Sequence, residues 1–449
     1  MRKNMLLFGT LILTAAGFIS RIIGFFYRIF LSRMFSTEQM GIYELIHPVL
    51  ALTYAISTAG IQNAVSRFCA AQSDENCKKH RLHILLTGLF LSIFLSTCCS
   101  LAVYQCADFI AQNLLMEARC ASLLRIIALS FPAACIHACI NGYYYGIRKT
   151  GIPALLQLLE QLFRVGSVCF FWQYDLHHQI QFSISMAAVG MVIGEFSSCL
   201  FSLLFSFLHF SKDSSSQTTL KKNSLPYRPL TVSRQLLAFA FPLSVTRICL
   251  NLLSTLEAAW IPASLERFGL SGSQALSTYA VFTGMAMTCI FFPGAITNSV
   301  SVLLMPMIAK ADAQKDYHTV SIILTKCMGW GLLMGIGCWA VFFTLGRNMG
   351  IWFFNNASAG EFIRTLSFLC PVLYLNSTLV SIQNGLGKTG LTFLCSLCAL
   401  GIRLFFVLFL IPVQGISGYL WGLFASQIFT AFFHIYTLNS FIYTQRIHL

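Results

Sequence analysis

Charge is what this sequence has least of. Asp, Glu, Lys and Arg make up 10% of its 449 residues, where an ordinary soluble domain carries roughly 25%. Acids are the scarcest, 15 against 29 Lys and Arg, for a formal net charge of +14. A chain so poor in polar surface is not expected to stay in water. That argues against a soluble enzyme, a secreted disulfide scaffold and a nucleic-acid-binding protein. Chemical motifs are missing as well. No G-x-S-x-G elbow occurs, and His177-His178 lacks H-x-x-x-H spacing and a partner acid. Neither a catalytic nor a metal site is therefore expected. Cys395-Ser-Leu-Cys398 has C-x-x-C spacing without the strand–helix context of a redox domain. Gly385-Leu-Gly-Lys388-Thr389 ends like a phosphate-binding loop, but the earlier glycine that motif needs is Ile382, so it reads as a turn.

What the sequence has instead is apolar length. Hydrophobic residues make up 57% of it, with a mean hydropathy of +0.73. A membrane-spanning helix takes ~20 apolar residues. Apolar runs near 8–32, 41–65, 83–107, 121–146, 152–173 and 182–208 give six spans, and runs near 235–261, 275–308, 321–345, 361–386, 391–412 and 417–440 give six more. The run 275–308 is overlong, and Pro293 and Pro306 are expected to kink or end its helix. Most of the 17 cysteines lie inside these runs, where a thiol behaves as a small hydrophobe. The opening Met-Arg-Lys-Asn leads into a run too long for a signal-peptide core and reads as an uncleaved first span.

Basic residues set the orientation. With the N-terminus in the cytoplasm, eighteen of the 29 Lys and Arg fall in cytoplasmic segments, six in outer segments and five within spans. The bias places both termini inside. The hydrophilic stretch 211–234 divides the chain into an N-terminal six-helix half (1–210), a cytoplasmic linker (211–234) and a C-terminal six-helix half (235–449). At a constant offset of 239, Pro132 meets Pro371, Gly146 meets Gly385, Lys149-Thr150-Gly151 meets Lys388-Thr389-Gly390, and Arg164 meets Arg403. Near offset 235, Asn63-Ala-Val-Ser66 resembles Asn298-Ser-Val-Ser301. An even number of spans separates each pair, so the halves are parallel repeats, an arrangement that suits a transporter with a central cavity.

Ionisable groups inside the bilayer cost ~2.5 kcal/mol or more, so each is a candidate for function. In Gly17-Phe-Ile-Ser-Arg21-Ile-Ile-Gly24-Phe-Phe-Tyr-Arg28, the two arginines share a helix face about 10 Å apart. Two guanidiniums so placed can fork onto phosphate oxygens. Arg247 in the seventh span adds a third candidate, with Asn251 one turn on. Glu160 and Arg164 are spaced for a local i, i+4 ion pair, whereas Arg403 has no local acid and is expected to be the freer of the two. Glu195, Glu257 and Glu44 are candidates for coupling to protons or sodium, because burial disfavours a charged carboxylate. Pairing with the arginines is the competing reading for these acids. His47 and His137 read as helix-packing histidines, and Asn298 and Asn376 as cavity-lining or helix-bridging amides.

The first span resembles that of the stage V sporulation protein B family of oligosaccharide exporters. So do Gly41-Ile-Tyr43-Glu44-Leu-Ile-His-Pro48, Ser57-Thr-Ala-Gly60, Tyr279-Ala-Val-Phe-Thr283-Gly284, Pro293 and Leu304-Met-Pro306-Met-Ile-Ala309. The family belongs to the multidrug/oligosaccharidyl-lipid/polysaccharide flippase superfamily. The resemblance implies an all-α polytopic protein of about twelve spans, with two parallel six-helix halves in a V-shaped flippase fold around a central cavity. It implies translocation of an undecaprenyl-pyrophosphate-linked oligosaccharide or cell-wall precursor across the bacterial plasma membrane, in sporulation or wall synthesis. Arg21 and Arg28 match the pyrophosphate-binding arginines of the first span in lipid II flippases. There are departures: the acid that follows the second arginine in those flippases is Ile29 here, the eighth span has no arginine, and two C-terminal spans found in many relatives have no counterpart. The expected partners are a lipid-linked glycan and membrane lipids, with the protein a monomer, no cofactor, and coupling to protons, sodium or the membrane potential. A cation-coupled extruder of the same superfamily and a membrane-embedded glycan polymerase or ligase are the competing functions.

Overall fold

The computed structural model describes residues 2–71, 78–178, 183–214 and 229–447. Among the described residues every regular element is helical. The first half of the chain holds α1 (Arg2–Met34), α2 (Thr37–Ser57), α3 (Ala59–Ala71), α4 (Lys78–Gln105), α5 (Cys120–Ala128), α6 (Phe131–Gly146), α7 (Gly151–His178) and α8 (Ile184–Ser214). The second half holds α9 (Pro229–Arg267), α10 (Gly272–Phe291), α11 (Gly294–Ala313), α12 (Tyr317–Phe354), α13 (Ala357–Leu366), α14 (Cys370–Gly385), α15 (Thr389–Phe409) and α16 (Ile416–Ile447). Eleven spans are long and apolar enough to cross a membrane, and the pair α5–α6, bent by 47°, makes a twelfth. They correspond one for one to the twelve apolar runs. Phe90, Phe207 and Phe432 each expose more than 70% of their surface, as side chains that face lipid rather than water do. The protein is a multi-pass membrane protein.

Four expected spans are interrupted, among them 121–146, which forms α5 and α6, and 361–386, which forms α13 and α14. The run 41–65 forms α2 and α3, divided at Thr58, while Pro48 lies inside α2. The run 275–308 forms α10 and α11 with Pro293 between them, where a missing N–H costs nothing because helix termini leave donors unsatisfied anyway. Pro306 falls inside α11 and does not end it. Residues 215–228 of the expected linker lie outside the described residues; the flanks of that stretch continue α8 and begin α9.

The repeat seen in the sequence is a repeat of structure. At offset 239, α6 begins and ends where α14 does, and α4 and α12 start together. Pro132 and Pro371 both stand in the first turn of their helices. After those helices Arg148 (φ 62°) and Gly387 (φ 73°) take the same left-handed conformation, which makes Gly385-Leu-Gly-Lys388 a turn as expected. The packing repeats too. A methyl group added at Gly146 would come within 2.6 Å of the Ser66 carbonyl oxygen, and one at Gly385 within 3.0 Å of the Met305 carbonyl. These two glycines let α6 approach α3, and α14 approach α11, backbone to backbone. Gly146→Leu is therefore expected to destabilise the protein by about 1–3 kcal/mol. A thermal midpoint in detergent equal to the parent's would contradict that contact.

By packing, the chain forms two units: residues 1–23 with 45–255, and residues 24–44 with 256–449. They do not coincide with the halves 1–210 and 235–449. The 33 residues of α1 extend about 50 Å, long enough for one helix to contribute to both units. Unit 1 includes most of α9, and unit 2 includes the end of α1 and the start of α2. Within unit 1 the core gathers Val65, Cys69, Ile84, Cys139, Tyr144 and Leu236; within unit 2 a second core gathers Leu304, Ile308, Val320, Leu379 and Leu438.

Candidate functional site

A cavity of about 270 Å³ lies within unit 1. One face of α2 lines it through Ala51, Tyr54 and Ala55, with Thr58 at the α2–α3 break and Gln62 of α3 beside them. Ala134, His137 and Ala138 of α6 do the same, and α8 adds Glu195. From α9 come Arg247 and Asn251, one turn apart. Small residues on α2 and α6 leave the room; Tyr, His, Glu, Arg and Asn side chains give it chemistry.

The acidic wall of this cavity is a network. Tyr54 donates to Glu195 Oε1 at 3.3 Å, and His137 Nδ1 lies 3.5 Å from Glu195 Oε2. Arg164 on α7 makes the expected i, i+4 pair with Glu160 at 2.5 Å and also reaches Glu195 at 3.6 Å. His137, Glu160 and Glu195 offer ligand atoms within 4.8 Å of one another. No such cluster was expected from the sequence, and His137 is a member of it rather than a helix-packing residue alone. With both carboxylates ionised, Arg164 counted and His137 neutral, the set carries one net negative charge.

Arg247 stands apart from this network. It is exposed and makes no ion pair with a described residue, as is also true of Arg21. Both belong to unit 1. The remaining candidates are in unit 2 and are engaged. Arg28 directs its fork at Thr288 Oγ1 (2.8 Å) and Glu44 (3.2 Å), with the Glu44 carboxylate against Gly284 in a π-helical turn, Val281–Ala286. Arg21 and Arg28 therefore do not act as a free pair on one face. Arg403 corrects its expectation more sharply. It is paired to Glu257 at 3.2 Å, and Glu257 also accepts from Tyr419 at 2.8 Å. The four acids in the spans, Glu44, Glu160, Glu195 and Glu257, all lie on arginines, because a buried carboxylate is stable as an ion only beside a cation. Asn376 is buried and donates to Gln427, while Asn298 is exposed. The side chains of His177 and His178 lie outside the described residues.

Residues 6–312, more than two thirds of the chain, match the family described as polysaccharide biosynthesis protein. The chain belongs to that family. Among its relatives, stage V sporulation protein B of Bacillus subtilis (strain 168) is 26% identical over 443 residues, covering 98% of this chain and 84% of that protein. Lipid II flippase MurJ of the same organism is 21% identical over 386 residues, covering 78% of this chain and 70% of that protein. In fold, the family member is similar to an inward-facing multidrug resistance MATE family transporter of the MOP superfamily, with a TM-score of 0.73 at 13% identity over 97% of this chain and 99% of that one. The resemblance to the stage V sporulation protein B family is thereby borne out.

Sequence reasoning missed Tyr54 as a partner of Glu195, Glu257 as the partner of Arg403, and Tyr419 as a donor to Glu257. Tyr54 carried a signal, since it is the single large polar side chain on a stripe otherwise of small residues. The Glu257 contacts carried none, because the partners lie on helices remote in sequence.

Proposed function

We propose that this protein is a flippase that moves a lipid-linked oligosaccharide or cell-wall precursor across the bacterial plasma membrane by alternating access. The observation that carries the reading is Arg247, an unpaired guanidinium beside Asn251 in the wall of the unit 1 cavity. An unpaired cation in a spanning segment is costly, and a diphosphate headgroup offsets that cost through charge-assisted, forked hydrogen bonds. Arg21, also unpaired, does not line that cavity and is a second headgroup contact only on the strength of its free charge in a spanning helix. Arg28 and Arg403 hold Glu44 and Glu257 in place, so their part in the cargo site is indirect. The relatives named for sporulation and lipid II flipping support a lipid-linked glycan as cargo. In this reading both termini are cytoplasmic, the protein acts as a monomer, and it catalyses no bond-making.

Coupling belongs to the Glu195 cluster of the same cavity. The single net negative charge of Glu160, Glu195 and Arg164 fits one proton or one monovalent cation, shared with His137; a divalent ion would meet the Arg164 guanidinium. That cluster is also what favours the second reading, a cation-coupled extruder. Reconstitution separates the two. In proteoliposomes, an undecaprenyl-pyrophosphate-linked saccharide is expected to reach the far leaflet only when the protein is present. Protein-dependent efflux of lipophilic cations without lipid translocation would support the extruder instead.

A further inference from the structure

A second cavity, of about 490 Å³, lies within unit 2 at one end of its helices. It sits where α9 ends, α10 begins, α12 gives way to α13, and α16 begins. Its polar side chains include Thr37, Ser277, Asn356, Ser358 and Gln414, and Phe268 supplies an aromatic wall. None of the lining residues is charged. That neutrality decides what the cavity can hold. A phosphate or pyrophosphate needs cations or free aligned N–H groups, and at the helix starts here Ser36, Ser271 and Asn356 already cap N–H groups of α2, α10 and α13; a cationic ligand needs acids. A purely apolar chain would leave the hydroxyls and amides without partners, at a cost for each. An uncharged ligand rich in hydroxyls, with one apolar face to lay on Phe268, satisfies the whole lining. Its size lies within the range of small-molecule sites, ~300–1,000 Å³.

The cavity is also built rather than incidental. Asn356 Oδ1 accepts from the Ala359 N–H at 3.0 Å, which fixes the amide and leaves its NH2 to donate. Gly415, at φ 62°, lies so close to the Phe268 ring that an added methyl would come within 3.0 Å of it. The side chains of Thr37, Ser277, Ser358 and Gln414 hydrogen-bond no other described residue, so their capacity is unused within the protein.

We infer that this cavity is a subsite for uncharged sugar units of the transported glycan. The inference rests on the reading of a glycan cargo, and it adds a second point of contact in unit 2 that reads the saccharide rather than the headgroup. The test uses the full chain in nanodiscs, with cellobiose and N,N′-diacetylchitobiose as probes, and saturation-transfer NMR and titration as readouts. Ser358→Trp fills the cavity and Phe268→Ala removes its aromatic wall; both residues are exposed, so the fold tolerates the changes. Each variant is expected to weaken disaccharide binding about tenfold or more, with an unchanged thermal midpoint. Arg247→Ala is expected to leave disaccharide binding as it was. Absence of binding by the parent, or equal binding by the parent and both variants, overturns the subsite. The two proposals fail separately. Disaccharide binding that Ser358→Trp abolishes, in a parent that translocates no lipid-linked glycan, sinks the flippase reading and keeps the subsite. Translocation by the parent with binding untouched in both variants does the reverse.

Discussion

Arg247→Ala is expected to reduce translocation of a lipid-linked glycan by about a hundredfold or more while leaving the thermal midpoint unchanged. The size follows from the chemistry of the fork. A hydrogen bond to a charged group contributes ~1.5–3 kcal/mol, and a guanidinium makes two of them to a phosphate. The silence in stability follows from the geometry, since Arg247 is exposed and has no ion pair with a described residue to break. Arg247→Lys keeps the charge and loses the fork, so an intermediate rate is expected. Translocation at the parental rate by Arg247→Ala would remove this residue from the cargo site.

Arg403→Met is expected to do the opposite: a large loss of stability that a second substitution repairs. Glu257 is 5% exposed and is held by Arg403 and Tyr419. Removing the guanidinium leaves a carboxylate charged and buried, which destabilises by about 3–5 kcal/mol. Arg403→Met combined with Glu257→Gln removes the charge altogether and is expected to recover most of that loss. The comparison is made as thermal midpoints of the single and double variants in one detergent. If the double variant is no more stable than the single one, the pair is not what holds these two residues.

The contrast between these arginines shows how far the sequence could be read. Twelve apolar runs, a repeat at offset 239 and a turn at Gly385-Leu-Gly were legible, because span length, chain spacing and the needs of a left-handed residue are local properties. So was the Glu160–Arg164 pair, whose partners are one helical turn apart. The Arg403–Glu257 pair was not, since it joins α15 to α9, and hydropathy carries no record of which helices meet. For the same reason Arg403 was expected to be the freer of the two repeat partners, while Arg164 was expected to be bound. The break at Pro293 was visible and the one at Thr58 was not: a proline lacks the N–H a helix interior needs, whereas neither a proline nor a charge marks Thr58. The division into units also escaped the sequence. A long helix such as α1 reads as one span, though its two ends belong to different units.

The central claim is that unpaired guanidiniums in unit 1 exist to hold an anionic headgroup. Its most direct test is the affinity of the purified protein for undecaprenyl pyrophosphate relative to undecaprenol, in the parent and in a variant with Arg21→Ala and Arg247→Ala together. The account predicts that the parent prefers the diphosphate by about a hundredfold, that added salt weakens the preference, and that the double variant loses it. Equal affinity of the parent for the two lipids, or a preference that survives loss of both arginines, would contradict it.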